Sequence, residues 1–568
     1  MTHDSEYGIG GSRPASRQVR PAVPVPWILS GPGLAGLRAR AAQVRDFVAD
    51  HAEYGIEEIG LSLALDGGTA DAADGAGSMR AALVAADRDA FLGQLDVLAQ
   101  GGTGPGVVTG KPAGDQRVVF VFPGHGGQWA GMARELRESS AVFRETMRRC
   151  VEAITPFIDW SLDDVLNDVP GAPGLDRVDV AQPALFAMMV SLAAMWRSHG
   201  VVPAAIVGQS VGEIAAVTVA GGLSLTDGAH LVAVWSQAEA RLQGRGDVAA
   251  VSLPAGQVRE RIARRGGQLD LAGINGPRSV LVSGDSRAVE ELLLELAAEG
   301  VRARKVPMGS PSHSRQMDEV EEFLLDNLRF LAPRAARVPC YSSTTGGEVD
   351  TARLDAAYWY RNLRQTMRFD SAIRELTESG HRLFVEVSPH PVLTLAVQEI
   401  AADQGIDARA LDTIRRGEGS LSRYLLALSR LHVCGPRPDW RTVFAGVEVK
   451  GLKLPASVTT LVPGSAQGDG DTSWAGQVLS MSAWERERHL LALVTALTAD
   501  VTGTRQGGEL PSGRDFKALG LDSIGALELR NRLSEATGLK LPATIVFDHP
   551  TPASLAGRLR AEVLGEET

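Results

Sequence analysis

The sequence predicts an α/β protein with an all-α unit at its C-terminal end. Three observations carry this. Val118–Phe122, Ala204–Val207 and Phe384–Val387 are β-branched or aromatic runs separated by helical periodicity, the pattern of a parallel sheet covered on both faces. Within that alternation, residues 246–308 read strand–helix–strand–strand–helix–strand, a ferredoxin-like insert. Beyond the Gly/Ser/Asp-rich stretch Val462–Ser473, only helical periodicity remains.

The elements follow in order. Residues 1–25 read as a flexible N-terminus, and 26–115 as a small α/β linker domain. In that domain Leu37, Ala41, Val44 and Phe47 mark a helix, and Met79–Ala86 a strand. The large α/β unit spans 116–408, with one helix expected over 130–154 and another over 181–199. Residues 409–460 form a following segment with a helix near 420–432, and 461–480 a flexible linker. The last unit, 481–568, opens on Ser482-Ala-Trp-Glu485, a capping box, and predicts further helices at 522–536 and 552–564.

Composition bounds the function. At roughly 100–200 residues per domain, 568 residues make three to five domains. A net charge of −11 argues against general nucleic-acid binding, which needs a basic surface. The apolar runs break before the roughly 20 residues of a membrane span, and Met1–Arg20 has no signal-peptide core. Three cysteines are too few and scattered for a zinc site or a disulfide framework, so a cytoplasmic protein without a metal is expected.

Gly208-Gln-Ser210-Val-Gly212 follows a strand and opens a helix, the context of a nucleophile elbow. Its glycines permit a turn that lifts the Ser210 hydroxyl, with the amide of Val211 facing any oxyanion beside it. A tight turn without chemistry fits the same five residues. A serine nucleophile needs a base, and among 11 histidines His313, His390 and His125 all lie on loops near candidate motifs.

Four ordered motifs resemble an acyltransferase domain of modular type I polyketide synthases. They are Phe122-Pro-Gly-His-Gly-Gly-Gln-Trp129, Gly208–Glu213, Ser310–His313 and Phe384–Leu393. The resemblance implies Ser210 as nucleophile, His313 as base, and an oxyanion hole from the amides of His125 and Val211. A main-chain carbonyl near Arg368 would orient His313. Two residues depart from the family pattern, His125 for a glutamine and Gln209 for a histidine, either by an exchange of partners across the site or by independent drift.

Members that take malonyl-type units carry an arginine twenty-five residues after the nucleophile, whose planar fork pairs with the substrate carboxylate. Trp235 stands there, in Val234-Trp-Ser-Gln237. It reads either as a core tryptophan or as the wall of a pocket for uncharged monocarboxylic acyl groups. Ser310 replaces a bulky Tyr or His and leaves room for a branched chain.

Phe516–Leu533 resembles the acyl carrier protein signature, supported by Ile545–Pro552, and implies 4'-phosphopantetheine on Ser523. Without the resemblance, Asp522 or Ser523 is an ordinary helix N-cap. From 475 to 568 there are 12 acidic and 10 basic side chains, so docking need not be mainly electrostatic.

The whole resembles a starter-loading didomain, the loading region of the avermectin synthase in particular. Gly174–Phe186 and Tyr358–Asn362 carry much of that likeness, and on this reading no ketosynthase is expected before the linker domain. The implied partners are an acyl-CoA, a phosphopantetheinyl transferase and a downstream ketosynthase. Two other classes stay open: a hydrolase or editing thioesterase with a carrier domain, and a non-catalytic docking protein.

Overall fold

The structure, a computed structural model, describes residues 23–69, 78–102, 104–112, 117–449, 452, 454–455, 474–479, 481–502, 511–521 and 523–564. The expected flexible N-terminus, most of the 461–480 linker and Asp522 lie outside them.

The chain first builds a three-stranded antiparallel sheet, β1 (Val25–Pro32), β2 (Ser78–Ala85) and β3 (Val107–Gly110), in that order. Helices Gly33–Asp50 and Arg88–Ala99 pack beside it, and Trp27 stacks on Phe91 at 3.8 Å. The apolar run Ile59–Ala64 lies in a helix, Ile56–Thr69.

The central sheet begins with β4 (Val118–Phe122) and β5 (Ala205–Gly208), paired parallel with Phe122 opposite Gly208. Every residue of both strands is buried, which explains their continuous apolar sequences. Phe120 and Phe122 face one core with helices Val178–Ser198 and Leu225–Ala240; Val119 and Val121 face another with Phe369 and Ile373. Val178–Ser198 is long and apolar enough to cross a membrane, but it is an internal helix of this core.

The chain then makes the insert: β6 (Asp247–Val251), β7 (Leu269–Gly276), β8 (Ser279–Gly284) and β9 (Ala303–Val306). Their order, β7-β8-β6-β9, is ferredoxin-like. It returns for β10 (Cys340–Ser342) and β11 (Gly347–Val349). It next lends two residues, β12 (Met367–Arg368), to the edge of the insert, parallel to β7. β13 (Leu383–Glu386) and β14 (Arg409–Asp412) complete a central sheet of order β11-β10-β5-β4-β13-β14.

Two differences from the sequence reading have local causes. The helix expected over 130–154 is two helices, Arg134–Ser139 and Ala141–Ile154. Ser140 leaves helical geometry to cap the second, accepting from the Phe143 amide. Arg409–Asp412, assigned to the segment after the large unit, is a strand of its sheet; its four residues include two charges and so lack an apolar run. The following helix, Leu421–Cys434, ties that unit to the first domain, where Arg80 donates to the carbonyls of His432 and Gly435.

Helices Ala483–Thr502, Ser523–Thr537 and Pro552–Leu564, with the short Ile545–Asp548, enclose a separate core around Leu490, Val494, Leu529 and Leu559. The capping box forms reciprocally: Ser482 N donates to Glu485, and Glu485 N to the Ser482 hydroxyl.

Gly212 sits where the helix after β5 crosses the end of β4. A Cβ there would lie 2.2 Å from the Pro123 carbonyl oxygen and 2.3 Å from that of Phe122. Backbone cannot yield as a side chain does, so Gly212→Ala should cost about 3 kcal/mol or more in denaturant unfolding.

Candidate active site

Ser210 links β5 to the helix Val211–Ala220, with φ 53° and ψ −129°. Among the described residues, the non-glycine residues with positive φ are Asp168, Ser210 and His313. Two of these three are therefore the proposed reacting pair, held in conformations that side chains resist.

The Ser210 hydroxyl lies 2.9 Å from His313 Nε2, and His313 Nδ1 lies 3.0 Å from the Gln365 carbonyl oxygen. That carbonyl only accepts, so Nδ1 carries the proton and Nε2 is free to accept from Ser210. Burial pushes the imidazole down to about 4, against backbone contacts from Gln365 and Asn362 that favour its protonated form. The orienting carbonyl is thus three residues before Arg368. The other histidines are engaged elsewhere: Gln128 donates to His125, and His390 accepts from the Arg416 amide.

The opening loop lies against Ser210. A Cβ on Gly124 would be 3.4 Å from that of Ser210. Among the described residues, the amides of His125 and Val211 have no protein acceptor. Trp129 donates to the Pro389 carbonyl, tying this loop to the late Ser-Pro-His-Pro turn.

Gln209 and His125 do not exchange partners. Gln209 accepts from the Gly124 amide and donates to Asn275 at the end of β7, whereas His125 pairs with Gln128.

Trp235 is fully buried on Leu225–Ala240. One turn further on the same face, buried Glu239 accepts from Gln182, Ser310 and Ser312. Burial raises the Glu239 carboxyl, and these donors oppose it. Ser310 is therefore not simply a small residue: its hydroxyl is anchored to a carboxyl beside the His313 segment.

Glu213, in the first turn after Ser210, accepts from Tyr358, Thr344 and Asn362. Tyr358 and Asn362 stand four apart on Ala356–Arg364, the helix whose end supplies the Leu363 carbonyl to His313 N and leads to Gln365. Glu213 thus joins the helix that follows Ser210 to the one that holds His313. Neither it, Gln365 nor Glu239 was singled out from sequence. The i,i+4 spacing of Tyr358 and Asn362, beside an acid three residues after the nucleophile, was the available signal.

Ser523 is the first residue of a fifteen-residue helix. The first-turn amides of such a helix lack intrahelical acceptors, which suits a phosphodiester.

Residues 119–438 match the acyl transferase domain family, and 492–559 match the phosphopantetheine attachment site family. The spectinabilin polyketide synthase system protein NorC of Streptomyces orinoci is 46% identical over 510 residues. The match covers 86% of this chain but spans only 22% of that synthase. Among solved structures, the acyltransferase domain from module 8 of the salinomycin polyketide synthase is 43% identical, with TM-score 0.70. It is covered to 98% of its length by 74% of this chain. A loading acyltransferase from the avermectin modular polyketide synthase is 50% identical, with TM-score 0.54, and 56% of this chain covers 99% of it.

Two measurements test the site. The folded protein favours neutral His313: below about pH 6.5 the unfolded chain takes up a proton that the folded site refuses until about 4, so its stabilising contribution falls across that window. Formation of acyl-Ser210 should accordingly stay level down to about pH 5, where an ordinary histidine would already be lost near 6.5. Burial also raises Glu213 to about 7, against hydrogen bonds from Tyr358, Ser342 and Thr344. Glu213→Ala should destabilise by about 2–4 kcal/mol in urea unfolding, and Glu213→Gln, which still accepts hydrogen bonds, by distinctly less.

Proposed function

This chain belongs to the acyl transferase family, with a phosphopantetheine-bearing carrier domain behind it, and we propose that it loads a starter acyl group in polyketide biosynthesis. His313 takes the Ser210 proton as the serine oxygen attacks an acyl-CoA thioester. The amides of His125 and Val211 hold the resulting oxyanion. Collapse expels the CoA thiolate, which takes the proton from His313, and leaves an acyl ester on Ser210. Phosphopantetheine, when attached at Ser523, supplies the accepting thiol for the second half of the ping-pong cycle. His313 then deprotonates that thiol and returns the proton to Ser210 as the acyl group departs.

The backbone carbonyl behind His313 supports a Ser–His dyad over the Ser–acid–His triad of a hydrolase. The observation that carries the starter reading is Trp235. A buried tryptophan where malonyl-specific relatives place an arginine leaves a dicarboxylic substrate without its cation. The likeness to the avermectin loading acyltransferase supports the same choice.

The test is kcat/KM for a panel of acyl-CoAs. Isobutyryl and 2-methylbutyryl should be best, propionyl next, and malonyl and methylmalonyl poorer by about two to three powers of ten. Trp235→Arg should raise malonyl transfer and depress branched transfer, and Ser210→Ala should abolish loading. Equal use of malonyl and isobutyryl by the unmodified protein would reduce Trp235 to a core residue.

A further inference from the structure

Asp412, at the end of β14, is buried among three arginines. Arg415 Nε lies 2.8 Å from it, Arg430 Nη1 3.5 Å, and Arg423 is in direct contact. Arg423 also reaches Glu418. The excess positive charge of Arg415 and Arg430 is met from the carrier domain. Glu528, on Ser523–Thr537, stands 3.2 Å from Arg430 and 3.9 Å from Arg415. Its own-helix partner Arg532 is at 3.0 Å. A helix-surface Glu–Arg pair alone would stay exposed, but the Glu528 side chain is only 19% exposed. Burial opposes its ionisation, yet the guanidiniums of Arg430, Arg532 and Arg415 outweigh burial and hold the carboxyl at about 2.

A second contact flanks the first. The Arg302 guanidinium lies 4.9 Å over the Phe547 ring on the short carrier helix Ile545–Asp548. Next to these contacts runs a crevice of about 800 Å³. His125, Gly126 and His390 line it on the acyltransferase, and Leu527, Glu528 and Asn531 on the carrier. Ser523 lies one turn before Leu527 on the same helix, and His125 lies in the loop beside Ser210.

We propose that the face formed by β14 and the helix Leu421–Cys434 is the docking surface for this chain's own carrier domain, with Arg415 and Arg430 gripping Glu528 so that the arm on Ser523 enters the crevice toward His125. This rests on the reading of Ser210 as acyl donor and Ser523 as arm-bearing residue. It also assigns docking to a local charge cluster that the carrier's near-neutral net charge conceals.

The experiment uses the full holo chain with Ser210 acylated in a single turnover, followed by intact mass. Glu528→Arg and Arg430→Glu should each slow passage of the acyl group to the carrier about ten-fold or more, with acyl-Ser210 formation unchanged. The double variant should recover most of the rate. The step should be first order and independent of protein concentration. Single variants that match the unmodified rate, a double variant no faster than the singles, or a rate proportional to concentration (a second copy's carrier on the surface) each overturn the proposal. Phosphopantetheinylation of Ser523 reports carrier folding. If Glu528→Arg fails that control, Glu528→Gln should slow transfer in the same direction, and an unchanged rate counts against the surface. Bismaleimide crosslinking of an Arg430→Cys/Glu528→Cys variant measures docking without acyl transfer. Crosslinking in a chain whose Ser210 stays unacylated would keep the surface and overturn the transfer reading; no crosslink overturns the surface.

Discussion

Everything at the site depends on one backbone crossing. β4 and β5 lie side by side, and both chains turn away at the same level. The Gln209 amide donates to the Phe122 carbonyl, and Gly212 passes within contact of that carbonyl and the next. Gly208 has the same constraint from the other side, since a Cβ there would lie 2.3 Å from Glu213 Cα. Only because neither glycine has a side chain can the elbow be tight enough to place Ser210 at positive φ beside the Gly124 loop. The strain is carried by a parallel sheet whose core packs on both faces.

The insert contributes more than bulk. By pairing with β12, its outer strand β7 steadies the segment that begins at Gln365, the residue whose carbonyl orients His313. Asn275, the penultimate residue of the same strand, holds Gln209 beside Ser210. One sheet edge thus reaches both partners of the serine–histidine pair. Glu213 closes the loop from the other direction through Tyr358 and Asn362. His313 leans on a main-chain carbonyl and not on an acid, so its geometry depends on these second contacts.

Much of this was legible in sequence because it is local. The all-apolar Val118–Phe122 read as a strand buried on both faces, and Gly208–Gly212 announced its turn through glycines that backbone geometry demands. The succession of strands and helices in the insert was legible from periodicity, and its likeness to a ferredoxin-like unit with it. What could not be read was long-range and polar. Glu239 looked like any helix-surface acid until the fold brought Gln182, Ser310 and Ser312 to it from 57 to 73 residues away. β12 is two residues long and carries no pattern, and β14 hides behind its charges. Glu528 likewise vanished into a nearly balanced domain charge, because what matters is which three guanidiniums surround it.

The Glu239 cluster also bears on how the segment before His313 can be changed. The hydroxyls of Ser310 and Ser312 are donors to one buried carboxyl, whose remaining partner, Gln182, sits on a different helix. Replacing both serines by residues without hydroxyls would remove two donors at once and leave that carboxyl buried with Gln182 alone, a loss that weakens the fold beside His313. The segment, Glu239 and Gln182 are thus one hydrogen-bonded unit dispersed along the chain.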